Sequence, residues 1–483
     1  MNIKIVLNIV SLSLIIFSIF MLPSIGIAFI YKTSEIPGFL ISFLITFLTG
    51  ISIYFLTRKY KHEELRYREA FASVTLTWIS IAFFGSLPYL LTGALGSFTN
   101  AYFEAMSGFT TTGASVIANV EILPQGILFW RGITQWIGGM GIIVFALAVL
   151  PVLGTGGMQL FKAEVPGITV DKIKPRIVDT AKLLWLIYSG LTAIIAGLYI
   201  FCGMSWYDAI CHAFTTISTG GFSTKNASLA SFNSPLIEYI AGCCMLLGSI
   251  NFVLYFFLLR GDFNKIFKNN EIRFYFSILL FLILLMTLNL KLNIYHYSLE
   301  KSFRYTFFQI VSIITTTGYA TADYGQWNFF AQTIILFLMF LGGMVGSTAG
   351  GIKQLRIYLM LKQIYKEFYH LIHPRAITSI KINDRALNHE ILGSIWGFIF
   401  LALTIWIISS IIISATGLDT VTSISTVASA LNNVGPALGK AGPTSTYAPF
   451  PALAKWVLVF CMLIGRLEYY TVLVLFIPAF WKK

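Results

Sequence analysis

Ten long apolar windows alternate with short polar connections along the chain, at roughly 4–30, 37–56, 70–93, 126–150, 183–203, 236–259, 272–290, 329–345, 390–416 and 452–480. Each is long enough, or nearly so, to cross about 30 Å of hydrocarbon as a helix. The pattern predicts an all-α polytopic membrane protein with about ten transmembrane helices. A second element interrupts it four times: a short segment of mixed polarity that runs into a small-residue turn ending in glycine. The turns are Thr110-Thr111-Thr112-Gly113, Ser218-Thr219-Gly220-Gly221, Thr315-Thr316-Thr317-Gly318 and Asn432-Asn433-Val434-Gly435, spaced by 108, 97 and 117 residues. Such a period is an internal repeat of a whole hairpin, written span, short helix, loop, span. The short segments, such as Tyr102–Phe109 and Trp206–Phe214, cannot cross a bilayer and are expected to enter and return as half-helices. Irregular backbone at membrane depth is tolerated only where protein buries it or water reaches it. The implied organisation is two extra N-terminal helices in 1–60 and four pore repeats in 61–155, 156–262, 263–385 and 386–483.

Composition agrees with a membrane chain: of 483 residues 57% are hydrophobic and 11% charged, and the mean hydropathy is +0.79, outside the range of soluble domains. The first window is too long and uniform for a cleaved signal and reads as a retained helix. The net charge of +13 would suit a nucleic-acid binder, but its distribution points to the membrane instead. With the N-terminus inside, segments 57–69, 151–182, 260–273, 353–385, Lys4 and the Lys482-Lys483 tail hold 24 of the 33 Lys and Arg. That asymmetry is the positive-inside pattern and puts both termini in the cytoplasm. The five cysteines lie in or beside apolar segments without metal-ligand spacing and read as packing residues. His370 and His373 lack further ligands at zinc spacing and read as surface residues.

Four backbone loops around one axis would let carbonyl oxygens replace the water shell of a permeating cation. Half-helix C-termini aimed at that axis each add about half a negative elementary charge. Glycine ends each turn because inward-pointing carbonyls call for φ > 0, which glycine adopts freely, and neighbouring Thr, Ser and Asn can satisfy loop groups.

The strings Phe-Thr-Thr-Thr-Gly-Ala-Ser, Ser-Thr-Gly-Gly-Phe-Ser, Thr-Thr-Thr-Gly-Tyr-Ala and Asn-Asn-Val-Gly-Pro resemble the filters of the Trk/Ktr/HKT superfamily of cation transporters. The two extra N-terminal helices, the run Gly342–Lys353 and Gly465-Arg466-Leu467-Glu468 make the chain most similar to its bacterial TrkH-type potassium-uptake branch. The resemblance implies K⁺ as permeant ion, with ligands among the backbone carbonyls of Thr111, Thr112, Thr219, Gly220, Thr316, Thr317, Asn433 and Val434, beside the filter glycines Gly113, Gly221, Gly318 and Gly435. Serine at the first of these glycines accompanies sodium transport in related plant proteins, so Gly113 favours potassium. The fourth filter departs from the threonine-rich pattern, which makes the fourfold symmetry approximate. The resemblance also implies a homodimer in membrane lipid with one pore per protomer, a cytosolic TrkA-type nucleotide-binding regulatory subunit, and residence in the cytoplasmic membrane. No covalently bound cofactor and no nucleic-acid partner are expected.

Five glycines in 342–351 make a continuous helix costly, at roughly 1 kcal/mol each relative to alanine. A break is expected there. It reads either as a gate under the filter, with Gly343, Gly346 and Gly350 supplying freedom, or as a close helix crossing. Arg466, deep in the last window, costs at least about 2.5–3.5 kcal/mol on insertion scales. It reads either as an electrostatic barrier in the pathway or as the partner of a buried carboxylate or free carbonyls. Glu104, Asp208, Glu300 and Asp419 precede the turns and are candidates for an acidic outer mouth, with Asp208 and Asp419 alternatively helix caps. An enzyme is disfavoured, since no His-Glu-x-x-His, Walker loop or paired intramembrane carboxylate occurs. A proton- or sodium-coupled symporter on the same scaffold is the alternative to channel-like flux.

Overall fold

The computed structural model describes residues 1–60, 66–148, 177–294, 297–376, 378–383, 385–387 and 389–482. The described residues are mostly helical. Two residues on each side of a turn, Lys381–Ile382 and Arg385–Ala386, form the only strand pairing among the described residues. Helices α1 (Ile3–Ile19), α2 (Leu22–Ile30) and α3 (Ile36–Thr57) come first. Then α4 (Tyr67–Leu91), the short α5 (Phe98–Phe109) and α6 (Gln125–Ala148) set an order that recurs. It returns as α7 (Ile177–Phe201), α8 (Trp206–Ile217) and α9 (Pro235–Ser249) with α10 (Phe252–Leu259), and as α11 (Asn270–Asn293), α12 (Leu299–Ile314) and α13 (Phe329–Leu341). After α14 (Gln354–Ile372) it appears once more as α15 (His389–Ser414), α16 (Thr420–Leu431) and α17 (Ala452–Arg466), followed by the short α18 (Tyr470–Leu473).

Among the described residues six apolar helical stretches are long enough to span a membrane, and two bent pairs raise this to as many as eight. The other two apolar windows correspond to α6 and to the 13-residue α13. The short helices α5, α8, α12 and α16 carry the core. Every residue from Ala101 to Phe109 is buried, as is every residue from Gln309 to Ile314. Their sides pack on the spanning helices before and after them, α5 against α4 and α6, α16 against α15 and α17.

Two windows expected to be continuous spans are broken. The 236–259 window bends by 98° between α9 and α10, and the 452–480 window by 111° after α17. Each break has a local cause. Asn251 turns its Oδ1 back to accept from Val253 N at 2.9 Å, capping α10, while Ser249 O accepts from Met344 N at 2.9 Å and Phe252 N donates to Gly346 O at 3.0 Å. An unwound strand of the third repeat therefore pairs with the gap. At the second break Glu468 and Tyr469 take φ of 57° and 51°, and the Glu468 carboxylate accepts from Arg356 Nη2 at 2.7 Å. The expected break at the glycine cluster is present, α13 stopping at Gly342, whose φ is 69°.

Candidate functional site

The four turns share one backbone solution. Thr112 N donates to Ser107 O at 2.9 Å, Gly220 N to Thr215 O at 2.8 Å, Thr317 N to Ser312 O at 2.9 Å and Val434 N to Ser429 O at 2.9 Å. These are the long bonds of a Schellman motif, which closes a helix C-terminus with one left-handed residue. That residue is Thr111, Thr219, Thr316 or Asn433, with φ of 52°, 53°, 56° and 55°. Two positions later Gly113, Gly221, Gly318 and Gly435 are left-handed again, at 81°, 79°, 80° and 105°. The sequence pointed to the glycines; it gave no sign of the first position. A β-branched threonine in that region is a strained exception, costing about 1–3 kcal/mol, and such exceptions collect at functional sites.

The glycines also have a second reason to lack a side chain. A Cβ on Gly113 would fall within 3.0 Å of the Gly220 carbonyl oxygen, closer than real Cβ atoms come. One on Gly221 would meet Thr317 O, one on Gly318 Val434 O, and one on Gly435 Thr112 O. Each filter glycine thus abuts the carbonyl of the next repeat, and the fourth returns to the first. The four loops close a ring.

Buried hydroxyls and amides brace this ring from behind. Thr110 and Thr112 share a hydroxyl contact of 2.7 Å, as do Thr315 and Thr317 at 2.8 Å. Tyr447 donates its hydroxyl to Gly435 O at 2.8 Å. Asn433 Nδ2 donates to Thr112 Oγ1 and to Met462 O, each at 3.0 Å, tying the fourth loop to the first. Above the glycines lies a cavity of about 160 Å³ lined by Ser115, Ser223, Lys225 and Tyr447 among others.

The acidic residues before the turns are not a common mouth. Glu104 is fully buried; its carboxylate binds Arg131 Nε at 2.9 Å and accepts from Val116 N at 2.9 Å, fixing the backbone after the first turn. Asp419 caps α16 by accepting from Thr422 N at 2.9 Å, and the Thr422 hydroxyl and N–H hold its carboxyl below the usual carboxylate range. The cap of α8 is Ser205, whose Oγ accepts from Asp208 N at 3.1 Å and donates to the Asp208 carboxylate at 2.9 Å. Glu300 lies outside, paired with Arg304.

Beneath the ring, residues 342–353 run as an unwound strand that touches the second, third and fourth repeats. Thr348 Oγ1 donates to Ile217 O at 2.8 Å, at the end of α8, and Gly350 N donates to Thr316 Oγ1 at 2.7 Å. A Cβ on Gly350 would collide with Asn432 O, and one on Gly343 with Ala349 Cβ. Gly346, at φ 73°, lies against Asn251, and Glu271 Oε1 accepts from Val345 N at 2.9 Å. Arg466 closes the set. It is 3% exposed, donates from Nη1 to Thr348 O at 2.8 Å and from Nη2 to Gly138 O on α6 at 3.3 Å. Among the described residues it has no carboxylate partner; Glu468, two residues on, serves Arg356 instead. Of the two structural partners considered for Arg466, carbonyls are the ones it has, and one belongs to the glycine-rich strand.

Sequence reading missed the close contacts made by a further set of glycines. Gly138 and Gly465 are so placed that a Cβ would collide with Phe109 O and Leu431 O, and one on Gly248 would lie 2.9 Å from Ile217 O. The spanning helices after the first, second and fourth turns thereby press against the last carbonyl of the half-helix before them. The signal was present as Gly-Gly-Met-Gly, Leu-Gly-Ser and Ile-Gly-Arg at matched positions.

Four half-helices closing strained loops around one axis, inside a bundle of long apolar helices, define a multi-pass membrane protein built for cation passage. The TrkH family of cation transport proteins matches residues 35–483, so the chain belongs to that family and is a transporter, not an enzyme. It is 42% identical to the Trk system potassium uptake protein TrkH of Halomonas elongata and 40% identical to that of Escherichia coli, each over the full length of both chains. The crystal structure of the potassium transporter TrkH from Vibrio parahaemolyticus superposes with a TM-score of 0.92 at 38% identity, covering all of both chains.

Proposed function

We propose that the protein takes up potassium, and rubidium in its place, across the cytoplasmic membrane through the ring of four turns. The ion's water is replaced by carbonyls of Thr111, Thr112, Thr219, Gly220, Thr316, Thr317, Asn433 and Val434. The observation that carries this reading is the ring itself, in which each filter glycine abuts the carbonyl of the following repeat. Paired left-handed residues at i and i+2 bring successive carbonyls toward one side, at a strain that ordinary loop closure does not require. Channel-like flux is gated by the strand 342–353, with Gly343, Gly346 and Gly350, and by Arg466, which hydrogen-bonds that strand directly under the ring. Both termini face the cytoplasm in this reading. The relatives' designation as parts of a Trk system supports a multicomponent assembly, here a homodimer in lipid joined by a cytosolic TrkA-type nucleotide-binding subunit. A proton- or sodium-coupled symporter is not favoured, because the buried Glu104 is committed to Arg131 and to backbone.

The test is flux into proteoliposomes of the purified chain. K⁺ and Rb⁺ are expected to pass down their gradients without ATP and with poor Na⁺ permeation. Passage of uncharged solutes, or equal Na⁺ and K⁺ flux, would overturn the proposal.

A further inference from the structure

The second filter differs from the others in one respect. The residue before its glycine is Gly220, where the first, third and fourth have Thr112, Thr317 and Val434. The missing side chain is replaced from another repeat. Gln135, fully buried on α6, donates its Nε2 to Gly220 O at 2.6 Å and accepts from Phe222 N at 3.0 Å through Oε1. One amide thus grips the carbonyl on one side of Gly221 and the N–H on the other. A Cβ on Gly220 would collide with the Gln135 amide carbon, so glutamine and glycine occupy one space between them. The position is special to the first repeat. Gln135 lies three residues before Gly138, which presses on the end of its half-helix; three before Gly248 and Gly465 stand Met245 and Met462, neither able to donate a side-chain hydrogen bond.

We infer that Gln135 is a specificity-determining positioning residue: it fixes the Gly220 carbonyl oxygen at the radius that suits K⁺ and keeps it from closing on a smaller ion. This rests on the reading of Gly220 O as an ion ligand. The first and third loops brace the same position with their own hydroxyl pairs, Thr110 with Thr112 and Thr315 with Thr317. The second loop has Ser218 but nothing at 220 to meet it, so the brace comes from α6. A carbonyl freed of that amide keeps its dipole and gains freedom to move inward, which favours the smaller Na⁺.

The test compares Rb⁺ and Na⁺ flux in proteoliposomes, with melting temperature measured on the same preparations. Gln135→Met, which copies the other repeats, is expected to lower the Rb⁺/Na⁺ ratio several-fold, on the scale of one lost hydrogen bond. The pair Gln135→Ala with Gly220→Thr empties the shared space and supplies a hydroxyl opposite Ser218, and is expected to recover most of the ratio. Gly221→Ser serves as the filter control. A folded Gln135→Met with an unchanged ratio, while Gly221→Ser lowers it, would overturn the role of Gln135 and leave the filter standing. An unchanged ratio in both would overturn the filter reading and this inference with it. Should Gln135→Met fail to fold, the pair decides: a recovered ratio supports the inference, and a lowered one overturns it.

Discussion

Replacing Arg466 by alanine should open the pathway. The guanidinium does two separable things under the ring. Its Nη1 donates to Thr348 O at 2.8 Å, anchoring the glycine-rich strand, and it places a buried positive charge beside that strand without a carboxylate to offset it among the described residues. A charged hydrogen bond of this kind is worth about 1.5–3 kcal/mol, so its loss shifts the strand between closed and displaced positions by roughly one to two powers of ten. Repulsion acts in the same direction. A K⁺ ion coordinated by Thr348 O would lie about 6 Å from the guanidinium, where an effective dielectric of about 20 gives near 3 kcal/mol. The effects overlap, since an ion reaches that level only once the strand has moved, so the expected gain in Rb⁺ uptake is about 10- to 100-fold rather than their product. Selectivity should hold, because no filter carbonyl is bonded to Arg466. Removing two carbonyl contacts together with a desolvated charge largely cancels in stability, and the melting temperature should move by only a few degrees. If uptake were unchanged or lower and the protein melted markedly earlier, Arg466 would be a structural clamp and the gating argument would fail.

Three further changes test other parts of the site. Gly113→Ser puts a Cβ against Gly220 O and should raise relative Na⁺ permeation more than a serine or threonine change outside the ring; an unchanged K⁺/Na⁺ ratio in folded protein would refute the repeat alignment. Thr348→Val removes the hydroxyl bonds to Ile217 O and Gly248 O at 2.8 and 2.9 Å and should raise basal Rb⁺ flux several-fold, on the scale of two neutral hydrogen bonds; lower flux in a folded variant would show that the strand is part of the conducting path. Charge reversal of Lys362, Lys366 and Lys381 should weaken co-purification of the regulatory subunit and leave flux by the isolated chain intact, whereas undiminished co-purification would assign these charges to lipid headgroups.

How much was legible in the chain depended on whether the cause was local. Apolar runs and their spacing located the half-helices to within a few residues, because length and periodicity are properties of single segments. The glycines ending each turn were legible for the same reason, φ being a one-residue matter. What escaped was set by contact between repeats. Asn251 and Glu468 sit in windows apolar enough to read as spans, and the chain breaks there because one accommodates residues of the third repeat and the other pairs with Arg356, 112 residues away. Basic residues misled likewise. Lys353 and Arg356 count toward the positive segment 353–385, but they are 8% and 1% exposed and lie inside the protein rather than on its cytoplasmic surface. The loop 151–182, another of the positive segments counted for orientation, lies outside the described residues as far as 176.

The departures from fourfold symmetry fall where the repeats have to do different work. Hydroxyl pairs within the loop brace the first and third filters, Gln135 from the first repeat braces the second, and in the fourth Asn433 reaches Thr112 and Met462. The strand below obeys no symmetry at all: it leaves the third repeat, fills the break in the second, meets Asn432 of the fourth and is held through Arg466, which also bonds Gly138 of the first. Gly350 N bonds the hydroxyl of Thr316, a strained left-handed filter residue, so the strand supports the ring at Gly350, two residues beyond the Thr348 carbonyl that Arg466 holds. Opening below and ion coordination above are therefore linked through Thr316, and a change that frees the strand from Thr316 itself, unlike one at Arg466, should alter flux and selectivity together.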